Sequence, residues 1–166
     1  MLDYLGIFKE FNTKKIKYIV VGGLAVNFHG IPRATYDIDL LVYLEDRNLA
    51  KLLRLMKDWG FKPKVPVDIM DFADRNKRED WIKNKNMKAF TLINPEWAIK
   101  EIDIIINSPV DYKKALKNAK IFKIYNVPIP TISINDLILM KEKTGRRQDE
   151  ADIRYLKKLL KNEKSN

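Results

Sequence analysis

Short apolar runs separated by glycine, proline and polar residues indicate several buried strands. The first run, Tyr18-Ile19-Val20-Val21, stops at Gly22-Gly23, as a strand does where it enters a turn. Similar runs predict further strands over residues 37–43, 89–93, 99–106 and 121–127. Pro128 and Pro130 are expected to end the last of them.

Apolar residues at helical spacing predict helices between these strands. Helices are expected around residues 5–11, 24–28, 47–59 and 111–119, with one more inside the charged stretch 61–88. Near the end of the chain, Ser133 and Asp136 have the form of a helix-capping box. Gly145 is expected to separate the helix that follows from a final helix.

Strands mixed with helices predict the α/β (α+β) class, with a mixed β-sheet core and flanking helices. A length of 166 residues corresponds to about one domain. We expect residues 1–130 to form the core and residues 131–166 to form a C-terminal helical hairpin packed on it.

The composition restricts the kind of metal site that the chain can build. It has no cysteine and a single histidine, His29, which excludes disulfides, thiolate sites and multi-histidine centres. A metal would be held mainly by oxygen, which favours Mg²⁺, Mn²⁺ or Ca²⁺ over zinc. His29, next to Gly30, is expected to have a structural role.

The formal net charge of +10 has two interpretations. It suits a polyanionic partner such as a nucleic acid or a nucleoside triphosphate, and it also suits a lysine-rich solvated surface. A basic stripe on the predicted helix 111–119 has the same two interpretations; it comprises Lys113, Lys114, Lys117 and Lys120. No apolar run approaches the roughly 20 residues that span a bilayer, and no signal peptide is recognisable, so a cytoplasmic location is expected.

Three aspartates are the candidate metal ligands. Asp37 and Asp39 alternate along one strand, so their carboxylates share a face about 7 Å apart. Asp103 lies in the most apolar strand, where an unpaired carboxylate needs a compensating cation. Glu101 shares its face as a weaker candidate. Without a metal, Asp37 and Asp39 would be an exposed strand edge and Asp103 would pair with a lysine.

The Gly22-Gly23 pair follows a strand and opens a helix, where backbone N–H groups bind phosphate well. Together, the segment from Val20 to Val42 resembles the signature of the DNA polymerase β-like nucleotidyltransferase superfamily. That signature is a strand, a Gly-Gly turn, a short helix and Asp-x-Asp on the next strand. The resemblance implies that Gly22 and Gly23 hold the triphosphate, that Asp37 and Asp39 hold Mg²⁺, and that Asp103 helps to activate the attacking hydroxyl.

Two further segments are similar to one subgroup of that superfamily. Arg33 and Thr35 fit a Gly-x-x-Arg-x-Thr-x-Asp-x-Asp pattern. Lys141, Gly145-Arg146, Asp149 and Asp152 resemble the C-terminal pattern of uncharacterised and abortive-infection toxin-type members. The resemblance adds Arg33, Thr35 and Lys141 to the nucleotide-binding residues. Gly23-Leu24-Ala25 departs from the minimal antitoxin type, and Thr35 stands where aminoglycoside-modifying members usually have histidine.

The sequence therefore predicts a metal-dependent nucleotidyltransferase that uses an NTP such as ATP and two Mg²⁺ or Mn²⁺ ions. It would move a nucleoside monophosphate to a hydroxyl of tRNA, protein or a small molecule and release pyrophosphate. An antitoxin protein is a further partner that the resemblance implies. Two alternatives stay open: a non-catalytic nucleotide- or partner-binding module, and a metal-dependent phosphodiesterase.

Overall fold

The computed structural model describes residues 3–165; Met1, Leu2 and Asn166 lie outside the described residues. The strands are β1 (Tyr18–Val21), β2 (Asp37–Val42), β3 (Lys62–Pro63), β4 (Ala89–Ile93), β5 (Glu101–Ile105), β6 (Lys120–Ile124) and β7 (Val127–Thr131). The helices are α1 (Tyr4–Thr13), α2 (Gly22–Phe28), α3 (Asp46–Asp58), α4 (Arg75–Lys85), α5 (Tyr112–Asn118), α6 (Ile134–Thr144) and α7 (Arg147–Ser165). A short 3₁₀ helix covers Ile69–Ala73. This mixture confirms the predicted α/β (α+β) class.

Within residues 3–165, seven strands form one mixed sheet in the order β3-β4-β5-β2-β1-β7-β6, with β2 at its centre. β2 pairs antiparallel with β1 and parallel with β5. In this register Asp39 stands opposite Val21 on one side and Asp103 on the other. The strand with two acids therefore lies between the strand that enters the glycine turn and the strand with the third acid.

Alternation along β2 and β5 separates the core from the acids. Ile38 and Leu40 in β2 are fully buried, as are Ile102 and Ile104 in β5. The acidic residues between them are only partly buried. Because successive side chains in a strand point to opposite faces, the apolar residues anchor both strands in the core and leave the acids together on the other face.

Pro128 and Pro130 lie inside β7, so the prediction that they end a strand was wrong. β6 and β7 form a hairpin whose two-residue turn, Tyr125-Asn126, has positive φ at both positions. Residues that flank such a turn form a hydrogen-bonded pair, so both prolines fall at non-hydrogen-bonded positions opposite β6. Their missing N–H groups therefore remove no hydrogen bond from the hairpin.

The predicted pair of C-terminal helices is present as α6 and α7. The hydroxyl of Ser133 accepts a hydrogen bond from the Asp136 N–H at 3.2 Å, which caps α6. Gly145 ends α6 in the left-handed region with φ +60°. Leu137 in α6 and Leu156 in α7 are both buried in the hydrophobic core. Within residues 3–165, no helix has the length and apolar character needed to cross a membrane.

Candidate active site

Asp37, Asp39 and Asp103 converge on one face of the sheet. The parallel register of β2 and β5 sets Asp39 beside Asp103 and Asp37 beside Glu101. One carboxylate oxygen from each aspartate lies within 4.8 Å of the others. Asp103 on β5 is therefore a spatial neighbour of Asp37 and Asp39 on β2, although it is far from them in the sequence.

The cluster raises the pKa of its most enclosed members. Burial, followed by repulsion from Asp37 and Asp103, raises the pKa of Asp39 to about 7. Burial also raises the pKa of Asp103, and the charges of Glu101 and Asp37 add to this effect. Without a cation, the folded protein therefore disfavours full ionisation of this site.

Gly22 lets the backbone approach Asp39. Its φ of +64° lies in the left-handed region that favours glycine. A Cβ atom on Gly22 would lie 1.8 Å from Oδ2 of Asp39. In the space that glycine leaves, the N–H of Gly23 donates a hydrogen bond to the Asp39 carboxylate, which partly offsets the raised pKa. The glycine turn and the Asp39 carboxylate are therefore in direct contact, which a side chain at position 22 would prevent.

The loop before β2 orients the first acid. The Thr35 hydroxyl donates a hydrogen bond to Oδ1 of Asp37 at 2.9 Å. The Tyr4 hydroxyl, in turn, donates to the carbonyl oxygen of Thr35 at 3.3 Å. Burial and the nearby Asp37 raise the pKa of Tyr4, so its hydroxyl stays protonated as a donor.

Arg33 lies against the glycine turn. A Cβ atom on Gly23 would lie 3.2 Å from Cζ of Arg33 and 3.0 Å from the Thr35 hydroxyl oxygen. The Arg33 guanidinium and the Thr35 side chain therefore fill the space beside Gly23. Both residues belong to the predicted Arg-x-Thr-x-Asp-x-Asp segment.

Lys141 belongs to a buried ion network with the final helix. Its ammonium group donates to Asp149 at 2.9 Å and to Asp152 at 2.8 Å. Asp152 also accepts from Nη1 of Arg33, which joins α7 to the loop before β2. Hydrogen bonds from Thr144 and from the Arg146 N–H complete the surroundings of Asp149.

Sequence comparison assigns the chain to a known family. The family model described as "Nucleotidyltransferase of unknown function (DUF6036)" matches residues 6–162, which is nearly the whole chain. The chain belongs to this nucleotidyltransferase family. The superfamily resemblance given by the sequence motifs is thereby confirmed. No curated protein sequence is significantly similar to this nucleotidyltransferase.

Solved structures share the fold of this nucleotidyltransferase. The lincosamide antibiotic adenylyltransferase LnuA, with lincomycin bound, has a TM-score of 0.62 and 19% identity, covering 92% of this chain and 93% of that chain. A putative nucleotidyltransferase from Thermotoga maritima has a TM-score of 0.56 and 16% identity, over 90% and 86% of the two chains. The antibiotic-resistance factor ANT(2'')-Ia has a TM-score of 0.59 and 13% identity, over 93% and 80%. At these identities the likeness bears on the fold.

The acid cluster of the nucleotidyltransferase fits a divalent cation. Three carboxylates within 4.8 Å supply hard oxygen ligands, the type that Mg²⁺ and Mn²⁺ take in proteins. Burial, together with the charges of Asp37 and Asp103, raises the pKa of Asp39 to about 7, and a cation bound there would favour its ionised form. Asp37, Asp39 and Asp103 are therefore the residues that would hold the ion.

The other side of the cluster has two contacts that the sequence analysis missed. The Thr91 hydroxyl on β4 donates to Oδ1 of Asp103 at 2.5 Å. The Lys64 ammonium pairs with Glu101 at 3.0 Å, beside β3. Neither residue belongs to a recognisable motif, and only the register of β4 and β5, which sets Thr91 opposite Asp103, reveals the first contact.

Several other residues considered from the sequence lie outside the acid cluster. Nε2 of His29 lies 2.7 Å from the Ile132 carbonyl oxygen, and burial lowers the pKa of this imidazole. The basic stripe continues from α5 into β6, where Lys120 lies over the Phe122 ring, while Lys113 lies over the Tyr43 ring. Tyr43 follows the end of β2 that is opposite Asp37.

Proposed function

We propose that this nucleotidyltransferase transfers a nucleoside monophosphate from an NTP to an acceptor hydroxyl in a metal-dependent reaction. The convergence of Asp37, Asp39 and Asp103 beside the glycine turn is the observation that carries this proposal. In the reaction, the acceptor oxygen bonds to the α-phosphorus and the bond from that phosphorus to the bridging oxygen breaks. Pyrophosphate leaves with that oxygen.

The three aspartates would hold Mg²⁺ or Mn²⁺, with two ions as the expected number. A divalent cation bound there would neutralise the carboxylates and polarise the phosphate oxygens. Thr35 and Tyr4 keep the Asp37 carboxylate in place, and the Gly23 N–H does the same for Asp39. These contacts fix the ligand oxygens before a substrate binds, which is what an efficient phosphoryl-transfer site requires.

The donor triphosphate is proposed to lie on the side of Gly22, Gly23, Arg33, Thr35 and Lys141. Arg33 and Thr35 lie beside Gly23 at the start of α2, and Lys141 is linked to Arg33 through Asp152. Backbone N–H groups and cationic side chains suit phosphate. Two of the three N–H groups of Lys141 bind Asp149 and Asp152, which leaves one donor for a ligand. Lys141 also lies near enough to Asp39 to lower its pKa, so its charge acts on the site.

The acceptor is proposed to enter on the side of Asp103. Asp103 would take the proton of the attacking hydroxyl, because burial raises its pKa above that of an ordinary carboxyl and so makes it a better base. Thr91 holds its Oδ1 atom and thereby orients the carboxylate. The Lys64–Glu101 pair lies beside this carboxylate and would line the path of the acceptor.

The acceptor class is the finer part of the proposal. A net charge of +10 favours a polyanion such as tRNA, and the solved structures that share the fold include a lincomycin-bound antibiotic adenylyltransferase, which favours a small molecule. A protein acceptor and an antitoxin partner follow from the resemblance to toxin-type members. All three acceptor classes belong in the same assay.

A labelling assay tests the proposal. The protein is incubated with Mg²⁺ and each α-phosphate-labelled NTP in turn, with total tRNA, with mixed protein, with hydroxyl-bearing antibiotics, and alone. We expect label to move from one NTP to one acceptor class, and Asp39→Asn to abolish transfer while the variant stays folded. Release of free labelled monophosphate without an acceptor would support the phosphodiesterase alternative. Absence of both transfer and NTP binding would contradict the proposed activity.

A further inference from the structure

The C-terminal helices supply a carboxylate that contacts two cations of the proposed donor side. Asp152 accepts from Nη1 of Arg33 and from Nζ of Lys141, which lie 119 and 11 residues away in the sequence. The side chains of Lys141, Asp152 and Arg33 are only 6%, 7% and 19% exposed. Asp152 is therefore an enclosed link between α6, α7 and the loop that precedes β2.

This link holds Arg33 beside the glycine turn. Cζ of Arg33 lies close to the position that a Cβ atom on Gly23 would occupy. The Nε atom of Arg33 is buried and has no hydrogen-bond partner among residues 3–165. A buried N–H group without a partner costs free energy, and a phosphate oxygen bound at the turn would remove this cost by accepting from Nε.

The charges within the network balance. Arg33 and Lys141 carry two positive charges, and Asp149 and Asp152 carry two negative charges. Although burial alone would raise the pKa of Asp149, hydrogen bonds from Thr144 and Lys141 hold it below its ordinary value, so this carboxylate is ionised. Asp149 contacts one cation, whereas Asp152 contacts both and is the only direct carboxylate partner of Arg33 in the described part of the chain.

We propose that Asp152 is a positioning residue for the donor nucleotide. It fixes the Arg33 guanidinium against the Gly22-Gly23 turn in a geometry that can receive an NTP phosphate. A side chain that is ordered before the ligand arrives loses less conformational entropy on binding, so this contact raises nucleotide affinity. The inference rests on the proposed function, because the NTP phosphate is the anion that Arg33 would meet.

Positioning through Arg33 affects a specific kinetic parameter. Arg33 would contact the donor phosphate in both the bound substrate and the transition state. Loss of such a uniform interaction raises KM and leaves kcat nearly unchanged. Damage to the acid cluster would instead lower kcat, so the two effects are separable.

The test compares variants of two neighbouring carboxylates in the full-length protein. Binding is first measured for wild type with Mg²⁺ and the α,β-methylene analogues of ATP, GTP, CTP and UTP, which cannot transfer their nucleotide. Asp152→Asn and Asp152→Glu are then measured with the analogue that binds. Asp152→Glu is needed because loss of one charge from a buried ion pair is strongly destabilising, whereas this variant keeps the charge and displaces the carboxylate by one methylene. Asp149→Asn is the matched control, since it also weakens the network at Lys141 but leaves the Arg33–Asp152 pair intact.

We expect both Asp152 variants to raise the Kd of the analogue and the KM of the NTP at least tenfold, with kcat within threefold of wild type. Asp149→Asn should change the Kd by less than threefold, even where its Tm falls as far as that of Asp152→Asn. Wild-type affinity in the Asp152 variants would overturn the proposal, and so would an equal loss of affinity in Asp149→Asn. A wild-type protein that binds none of the four analogues would contradict the proposed function itself, a result distinguishable from either of these.

Discussion

Gly22 and Asp39 are packed so closely that a Cβ atom on Gly22 would lie 1.8 Å from the Oδ2 atom of the Asp39 carboxylate. The backbone of Gly22 is also left-handed, with φ +64°. Position 22 therefore requires glycine for two structural reasons, one steric and one conformational, and neither depends on a bound nucleotide.

Replacement of Gly22 should strongly destabilise the protein and abolish transfer. In Gly22→Ala, the left-handed backbone costs about 1–2 kcal/mol and the Asp39 carboxylate must also move. Because 1 kcal/mol corresponds to roughly 2–4 °C in Tm for a protein of this size, we expect a fall of several degrees and loss of transfer. Gly23→Ala is the control, since its Cβ would lie 3.0 Å from Thr35 and 3.2 Å from Arg33, so small shifts would accommodate it. Equal Tm values for the two variants would contradict this account.

Asp39→Asn should stabilise the metal-free protein at neutral and higher pH. The folded-state pKa of Asp39, about 7, lies above the unfolded value of roughly 3.9, so the folded protein holds the proton more tightly. Stability from this group is present at low pH and is lost as the pH rises from about 4 through 7. An amide cannot ionise and avoids that loss. Thermal melts in EDTA from pH 4 to pH 8 should show the Tm advantage of the variant growing with pH; a constant difference would count against the raised pKa.

Divalent cations should make the wild-type protein more stable than Asp39→Asn. Mg²⁺ or Mn²⁺ binds only the folded cluster, and at 100 times its Kd a ligand stabilises by about 2.7 kcal/mol. We therefore expect the Tm of wild type to rise with metal concentration and to fall again with EDTA. Asp37→Asn, Asp39→Asn and Asp103→Asn should each reduce the rise, whereas Glu142→Gln, in an exposed pair with Lys157, should keep it. Undiminished stabilisation of all three aspartate variants would exclude this cluster as the metal site.

Thr91→Val should alter the pH dependence of transfer. The Thr91 hydroxyl donates to Asp103 and lowers its pKa, in opposition to burial, so its loss should raise that pKa further. If Asp103 must be ionised to act, the acidic limb of the pH–rate profile should move to higher pH in the valine variant. Thr91→Ser keeps a hydroxyl and should retain the wild-type profile. If the acidic limb of the pH–rate profile does not move in Thr91→Val, the ionisation of Asp103 does not control the rate.

The parts of the fold that could be predicted depend on local periodicity. The alternation of Ile38 and Leu40 with two acids gave both the strand and its faces, and the apolar surroundings of Asp103 identified the third acid. Pro128 and Pro130 misled the prediction because their positions in β7 depend on the hairpin register. That register is set by the two-residue turn Tyr125-Asn126, which contains no glycine, so the hairpin was not recognised inside the predicted strand 121–127.

For the candidate site, the sequence likewise predicted the motif residues but not the contacts between distant segments. Its motif residues carry a spacing that strands and turns impose, so they could be found locally. The contacts Thr91–Asp103 and Arg33–Asp152 join segments that only the completed sheet and helices bring together. The resemblance assigned Lys141 to the nucleotide, whereas its pairing with Asp149 and Asp152 depends on the packing of α6 on α7.

Asp152 lies in α7, which follows the acids and glycines of the candidate site along the chain, and this order bears on biosynthesis. While the polypeptide emerges from the ribosome, the three clustered aspartates and both glycines are made well before α7. Until that helix is released, Arg33 and Lys141 lack the carboxylate that joins them. We expect the nascent protein to reach its full affinity for the nucleotide only after α7 has left the ribosome.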